Sequence, residues 1–339
     1  MNKQRTLIAL ALVVLALFFI FFYAGCSSRA SYRTDQGMIF GTTYHIKYRH
    51  PQGQDLHQGI IESLREVDAS LSMFNDTSVI SRINANRSML TDTHFRSVFR
   101  QAQQVSELTH GAFDMTVAPL VNAWGFGRQT DREPTPQLID SLRQWVGYRL
   151  VSMEDGRIIK QHQQTMLDAG AIAKGYGCDV VARYLQQQGC QDYLVEIGGE
   201  IVCQGLNDKG EEWIVGINSP ADDPGNQNND LFQRVQLTGC GLATSGNYRQ
   251  FYIRDGQRRA HTIDPRTGYP VQHDLLSATV VAPTCMQADA LATSFMVLGA
   301  DSALSLTQQL DSVSCYLICS DGADGYIVRQ SDDFGKYLR

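Results

Sequence analysis

The chain has 339 residues, of which 43% are hydrophobic and 19% charged, with a formal charge of −6. That is enough apolar sequence for one large core or two ordinary ones. The acidic balance, with no Lys/Arg cluster, excludes nucleic acid as a partner. An anionic ligand would need a metal ion, helix N-termini or backbone amides to hold it.

Lys3 and Arg5 precede a nearly unbroken apolar run over residues 7–25, ending in Tyr23-Ala24-Gly25-Cys26-Ser27-Ser28. A basic start, an apolar stretch and small residues before a cleavage point have the form of a secretory signal over 1–25. A cysteine directly after Ala-Gly resembles a bacterial lipobox, in which Cys26 is acylated and becomes the mature N-terminus. Tyr23 departs from the aliphatic residue usual at that position. The other reading is an uncleaved anchor helix, since about 20 apolar residues can span a bilayer. Both place the body outside the cytoplasm, tied to a membrane through a polar tether over 26–37.

From residue 38 the chain alternates between periods of 2 and 3.6 without a linker-like break, so 38–339 reads as one domain. Residues 40–48 form a strand. Residues 57–73 put Ile60, Ile61, Leu64, Val67 and Leu71 on one helical face, and 94–109 do the same with Phe95, Val98, Phe99, Ala102 and Val105. A helix over about 135–146 follows a Pro-containing loop. Strands are expected at 148–153, 157–163, 193–204, 212–218, 231–238, 247–253, 275–282, 313–319 and 325–328. Helices are expected at about 172–188, 287–298 and 301–310. Strands joined by hairpin-like turns, with helices grouped early, indicate an α+β fold with mixed or antiparallel sheets and flanking helices. The polar stretch 222–230 reads as a surface loop. The seven cysteines after Cys26 lack CxxC or zinc-like spacing. They read mainly as buried small hydrophobes, with one disulfide left open.

Several segments carry chemistry. Asp168-Ala169-Gly170-Ala171-Ile172-Ala173-Lys174-Gly175-Tyr176 opens a helix from a small-residue loop. Small side chains let a ligand approach the backbone, and the first helical N–H groups favour anions. Tight helix–strand packing explains the same residues equally well. Ile197-Gly198-Gly199-Glu200 and Gly241-Leu242-Ala243-Thr244-Ser245-Gly246 are glycine-rich strand ends, read either as bulges or as places of close backbone approach. Gly111-Ala112-Phe113-Asp114 runs on to Trp124-Gly125-Phe126-Gly127, either a core loop with Trp124 buried or part of a ligand wall. Phe74, at a polar turn, either caps a planar ring or plugs the core. His261-Thr262-Ile263-Asp264-Pro265-Arg266-Thr267-Gly268 offers an imidazole beside a Pro-stiffened turn, and Asp289 and Thr293 lie four residues apart, on one face of a helix. A titratable base next to a hard-oxygen cation site suits phosphoryl transfer.

Taken in order, Phe40-Gly41-Thr42, Leu71-Ser72-Met73-Phe74, 111–127, 168–176, Ile197-Gly198-Gly199, Thr244-Ser245-Gly246, 261–268 and 288–293 resemble the ApbE family over roughly residues 38–330. These are FAD:protein FMN transferases. The resemblance implies an α+β fold that binds FAD with Mg²⁺ on the periplasmic side of the bacterial inner membrane. It implies FMN transfer to a Thr or Ser hydroxyl of an acceptor protein, with AMP leaving. Acceptors would be subunits of membrane electron-transfer complexes, such as Na⁺-translocating quinone reductases or Rnf-type complexes.

By position, the resemblance makes His261 the catalytic base. Asp289 and Thr293 become side-chain metal ligands, and Ala171 a ligand through its carbonyl. FAD contacts fall on Phe40, Phe74, Ala112, Phe113, Asp114, Asp168, Lys174 and Ile263. Phe74 stands where many relatives carry tyrosine, keeping the stacking face without the hydroxyl, and Phe40 replaces a frequent methionine. A Mg²⁺-dependent FAD pyrophosphatase, with water in place of the acceptor hydroxyl, is the alternative activity. A non-catalytic flavin-holding lipoprotein is disfavoured by the intact His261, Asp289 and Thr293.

Overall fold

A computed structural model of the protein describes residues 31–126, 133–220, 230–247, 251–254, 257–322 and 325–339. The chain opens with a hairpin, β1 (Arg33–Ile39) and β2 (Thr42–Arg49). Helices α1 (His57–Leu71), α2 (Val79–Asn84), α3 (Thr93–Leu108), α4 (Ala118–Ala123) and α5 (Pro136–Arg143) follow. Next come a small hairpin, β3 (Val151–Glu154) and β4 (Arg157–Lys160), then α6 (Ala173–Gln187), β5 (Asp192–Ile197) and β6 (Glu200–Gln204). The rest comprises β7 (Trp213–Asn218), β8 (Leu231–Leu237), β9 (Cys240–Gly246), β10 (Phe251–Arg254), β11 (Gln257–Ala260), β12 (Leu275–Ala282), α7 (Cys285–Leu298), α8 (Ala300–Thr307), β13 (Ser314–Ser320) and β14 (Tyr326–Gln330).

Eight strands form the central sheet in the order β1-β2-β5-β6-β9-β12-β13-β14, and every neighbouring pair is antiparallel. Alternation along each strand sorts side chains between two faces. On β12 and β13, Ala278, Val280, Ala282, Cys315, Leu317 and Cys319 join the core beneath the helices. Val281, Tyr316 and Ile318 face the opposite way, onto Trp213, Val235 and Leu237 of the β7–β8 hairpin. The expected α+β class is what the fold shows, with antiparallel pairing throughout the sheet.

Three details differ from the sequence reading. Residues 33–37, read as tether, belong to β1. Their polar composition conceals a paired strand in which buried Asp35 is satisfied by the Tyr44 hydroxyl at 3.3 Å and His57 Nδ1 at 2.8 Å. Phe40 is not a strand residue. Ile39 pairs with Thr42, leaving Phe40 (φ 53°) and Gly41 (φ 74°) as a two-residue turn of the kind that matches strand twist. The stretch 193–204 is two strands, folded back at Gly198 (φ 64°) and Gly199 (φ 102°). Helices α2 and α4, six residues each, and strand β9 were not anticipated as such. Cys26 and the 1–25 segment lie outside the described residues, as do 221–229 of the expected surface loop and 248–250 of the expected 247–253 strand. All seven remaining cysteines are free thiols, six buried and Cys240 half-buried.

Helices α6 and α7 meet at unusually close range. A Cβ on Gly175 would lie 2.4 Å from the Cys285 carbonyl oxygen and 2.8 Å from Asp289 Cβ, and one on Gly241 would lie 2.3 Å from the Cys285 amide nitrogen. Gly177 gives way similarly to the ring of Phe40, 2.6 Å from a would-be Cβ. Gly175→Ala should therefore cost about 1–3 kcal/mol through overpacking, read as a lower denaturant midpoint. Gly335→Ala, where nothing lies within 4 Å, should leave the midpoint nearly unchanged. Equal midpoints for the two variants would contradict this packing.

Candidate active site

Asp289 and Thr293 lie one turn apart on the same face of α7. Asp289 is 2% exposed, and its Oδ2 accepts the Gly175 N–H at 2.9 Å. Gly175 is the third residue of α6, so its N–H has no partner inside the helix and Asp289 satisfies it. Ala171 precedes the N-cap residue Ile172, so its carbonyl stands outside the helical ladder at the entrance to α6. Thr293 Oγ1 shares a 3.0 Å hydrogen bond with Ser245 Oγ on β9.

Lys174, in the first turn of α6, reaches into the same place. Its Nζ is 2.7 Å from Glu200 Oε1 and 4.0 Å from Asp289 Oδ1. Burial pulls the ammonium pKa down, but Asp289 and Glu200 outweigh it and hold the value above the usual lysine range. Burial raises both carboxyl groups, against the pull of Lys174. The two hairpin turns close over this point: a Cβ on Gly198 would lie 2.8 Å from Thr42 and 3.3 Å from the Lys174 side chain.

The start of α7 is fixed by α6. Asp179, one turn beyond Gly175 on the same face, is 6% exposed and accepts the amides of Cys285 and Met286 at 2.9 Å each. Thr284 Oγ1 accepts from Gln287 at 3.2 Å, so the first amides of the helix are satisfied. Burial raises the Asp179 carboxyl to about 6, with the two amides and Arg183 opposing.

The second wall comes from the loop around residues 112–126. Asp114 is buried, and its oxygens accept from Thr116 N at 2.7 Å, Thr116 Oγ1 at 2.6 Å and Tyr148 N at 2.6 Å. That carboxylate pins the loop. Ala112 and Phe113 are buried, Phe113 in the helical core. Asp168 accepts the Gly170 N–H at 2.6 Å while its own N–H bonds the Met115 carbonyl, joining this loop to the entrance of α6. Trp124 is buried, as a core-loop reading requires, and its Nε1 donates to the Gly268 carbonyl at 2.8 Å. Ile263 packs with Trp124, Leu120 and Ile139.

His261 directly follows β11 and meets Phe126 edge-to-face at 6.3 Å. Its neighbour Thr262 donates to Asn247 Oδ1 at 2.7 Å, both groups being buried. Asn247 stands two residues beyond Ser245, about 7 Å along an extended chain, and Ser245 bonds Thr293. This chain of contacts ties the histidine segment to Asp289 and Thr293 on α7. Phe74 is 90% exposed, which rules out its role as a core plug. Phe40 lies against Gly177 at the mouth of the lysine–carboxylate cluster.

The structure thus brings Lys174 and Asp289 together with Glu200, to which the sequence reading gave no role. Ser245 and Asp179 were also missed as positioning groups. The available signals were Glu200 directly after Gly-Gly, and the four-residue interval between Gly175 and Asp179.

Residues 40–317 match the family model described as the ApbE family. The chain belongs to the ApbE family. Over 328 residues it is 36% identical to the FAD:protein FMN transferase of Haemophilus influenzae, covering 92% of this chain and 93% of that one. It is 35% identical over 334 residues to the enzyme of that name from Vibrio cholerae, covering 96% and 98% of the two chains. Among solved structures, flavin transferase ApbE from Vibrio cholerae superposes with a TM-score of 0.81 at 35% identity, covering 91% of this chain and 100% of that one. The apo flavinyl transferase ApbE of Pseudomonas stutzeri gives 0.80 at 30% identity, covering 91% and 97%. These agreements span both walls of the site.

Asp179 carries a pH signature. A carboxyl raised on folding contributes stability that is present below its unfolded value near 4 and is lost as pH rises through about 6. Relative to Asp179→Asn, the wild type should lose stability between pH 4 and 7. Denaturant unfolding across that range measures the difference, and parallel curves would exclude this carboxyl as the source.

Proposed function

We propose that this ApbE-family chain transfers FMN from FAD to a Thr or Ser hydroxyl of an acceptor protein and releases AMP, with Mg²⁺ as the metal. The observation that carries the reading is the meeting of Asp289 and Lys174 at the entrance to α6, with Thr293 one turn further along α7, inside a chain aligned to named FAD:protein FMN transferases over nearly its whole length. The donor set suits Mg²⁺. One carboxylate, one hydroxyl and the Ala171 carbonyl ahead of α6 would leave room for phosphate and water in the octahedron. A bound Mg²⁺ would neutralise charge on the FAD pyrophosphate and the departing AMP oxygen.

The chain's own groups supply the rest. Lys174 and the amides opening α6 attract the pyrophosphate. Phe74 presents an open aromatic face for a planar ring, and Phe40, Ala112, Phe113, Asp114, Asp168 and Ile263 shape the surrounding wall. A neutral His261 takes the proton of the acceptor hydroxyl as its oxygen bonds to the FMN phosphorus. The bond from that phosphorus to the AMP oxygen breaks, and AMP leaves with the electron pair.

Cys26 is the proposed lipid attachment point, holding the body on the periplasmic face of the inner membrane. With β1 beginning at Arg33, residues 27–32 would span roughly 20 Å when extended. That reach suits acceptors embedded in or lying on the membrane, such as subunits of Na⁺-translocating quinone reductases or Rnf-type complexes.

His261→Ala should lower transfer by about 10²–10⁴-fold while FAD still binds, measured by covalent flavin fluorescence of an acceptor on a denaturing gel. Unchanged labelling would remove the histidine from the mechanism. Asp289→Ala should weaken Mg²⁺-dependent labelling, and full labelling without added Mg²⁺ would contradict the proposed metal site. AMP and free FMN formed equally with and without acceptor would instead support the pyrophosphatase.

A further inference from the structure

We propose that Glu200 is a positioning residue whose task is to hold the Lys174 ammonium away from Asp289, so that Asp289 keeps an oxygen for a divalent cation. This rests on the metal reading above and adds a residue to it.

Lys174 stands between two buried carboxylates but is shared unequally. Its Nζ is 2.7 Å from Glu200 Oε1, an ordinary charge-assisted hydrogen bond, and 4.0 Å from Asp289 Oδ1, which is beyond one. Asp289 Oδ2 is already engaged by the Gly175 amide, so Oδ1 is the oxygen turned toward the ammonium. A lysine ammonium is a compact cation on a flexible four-carbon stem. Without Glu200, the nearest anion left to it is Asp289, and a shift of little more than 1 Å would put it in the place a metal ion needs.

Glu200 is built to prevent that. It is 4% exposed and is fixed as the first residue of β6, directly after the Gly198-Gly199 turn whose backbone lies against the lysine stem. Its second oxygen, Oε2, is buried with no hydrogen-bond partner among the described residues. An unpaired buried acceptor is costly, and a purely structural ion pair would avoid it by using both oxygens.

The test measures Mn²⁺ binding to the full chain by electron paramagnetic resonance, with FAD saturating for each variant. Glu200→Gln, which keeps the shape and removes the charge, should weaken Mn²⁺ binding by roughly 10- to 100-fold, the usual cost of losing an outer-shell partner. Adding Lys174→Met to that variant should restore binding to near the wild-type value, and this recovery also shows that the fold is intact. Lys174→Met alone should not weaken Mn²⁺ binding. Wild-type affinity in Glu200→Gln, no recovery in the double variant, or weaker binding in Lys174→Met would each overturn the proposal. Asp289→Ala separates the two levels. If it retains Mn²⁺ at wild-type affinity the metal reading itself fails, whereas loss there with no effect of Glu200→Gln sinks only the role of Glu200.

Discussion

The site depends on how closely α6 can approach α7. Gly175 has no side chain, so the backbone of α6 comes near enough for its N–H to reach Asp289, 114 positions away in sequence. Asp179 then anchors the first amides of α7 from the same face of α6. One glycine and one buried aspartate thus set the separation and rotation of two helices. Those two quantities decide where Asp289 and Thr293 point and where Lys174 must sit. Burial makes the arrangement demanding, because each of these charges has left water and is tolerated only with partners in place.

Around that contact the sheet acts as a frame. Its antiparallel order brings the β1–β2 and β5–β6 turns to the end where α6 begins, and β9 delivers Ser245 to Thr293. Thr262 and Asn247 bind the histidine-bearing segment to the same edge. The candidate site residues gather at turns and on the facing sides of α6 and α7, whereas strand interiors serve mainly for packing. Asp114 is one of them, and its carboxylate is taken up in organising its own loop.

Much of this was legible from residue patterns. The apolar stripes of α1 and α3 gave those helices, and the alternation along β12 and β13 gave strands with two buried faces. The i, i+4 spacing of Asp289 and Thr293 placed them correctly on one helix face. Polar strand β1 escaped because the partners that satisfy Asp35, Tyr44 and His57, are known only once the hairpin and α1 have formed. The glycine pair at 198–199 marked the break, but glycines within a strand read equally well as a bulge, and alternation alone cannot reveal a reversal. Glu200 and Asp179 escaped for a related reason: their significance lies in which distant amide or ammonium each one meets, and the local signals, Gly-Gly before Glu200 and the Gly175–Asp179 interval, do not name that partner.

The Gly175–Asp289 contact also orders events during synthesis. Lys174 and the entrance to α6 lie just past the middle of the chain, whereas Asp289 and Thr293 belong to its final sixth. A chain ending before α7 has the glycine side of the contact without the carboxylate that receives it. Closure of this helix pair therefore waits for almost the whole polypeptide.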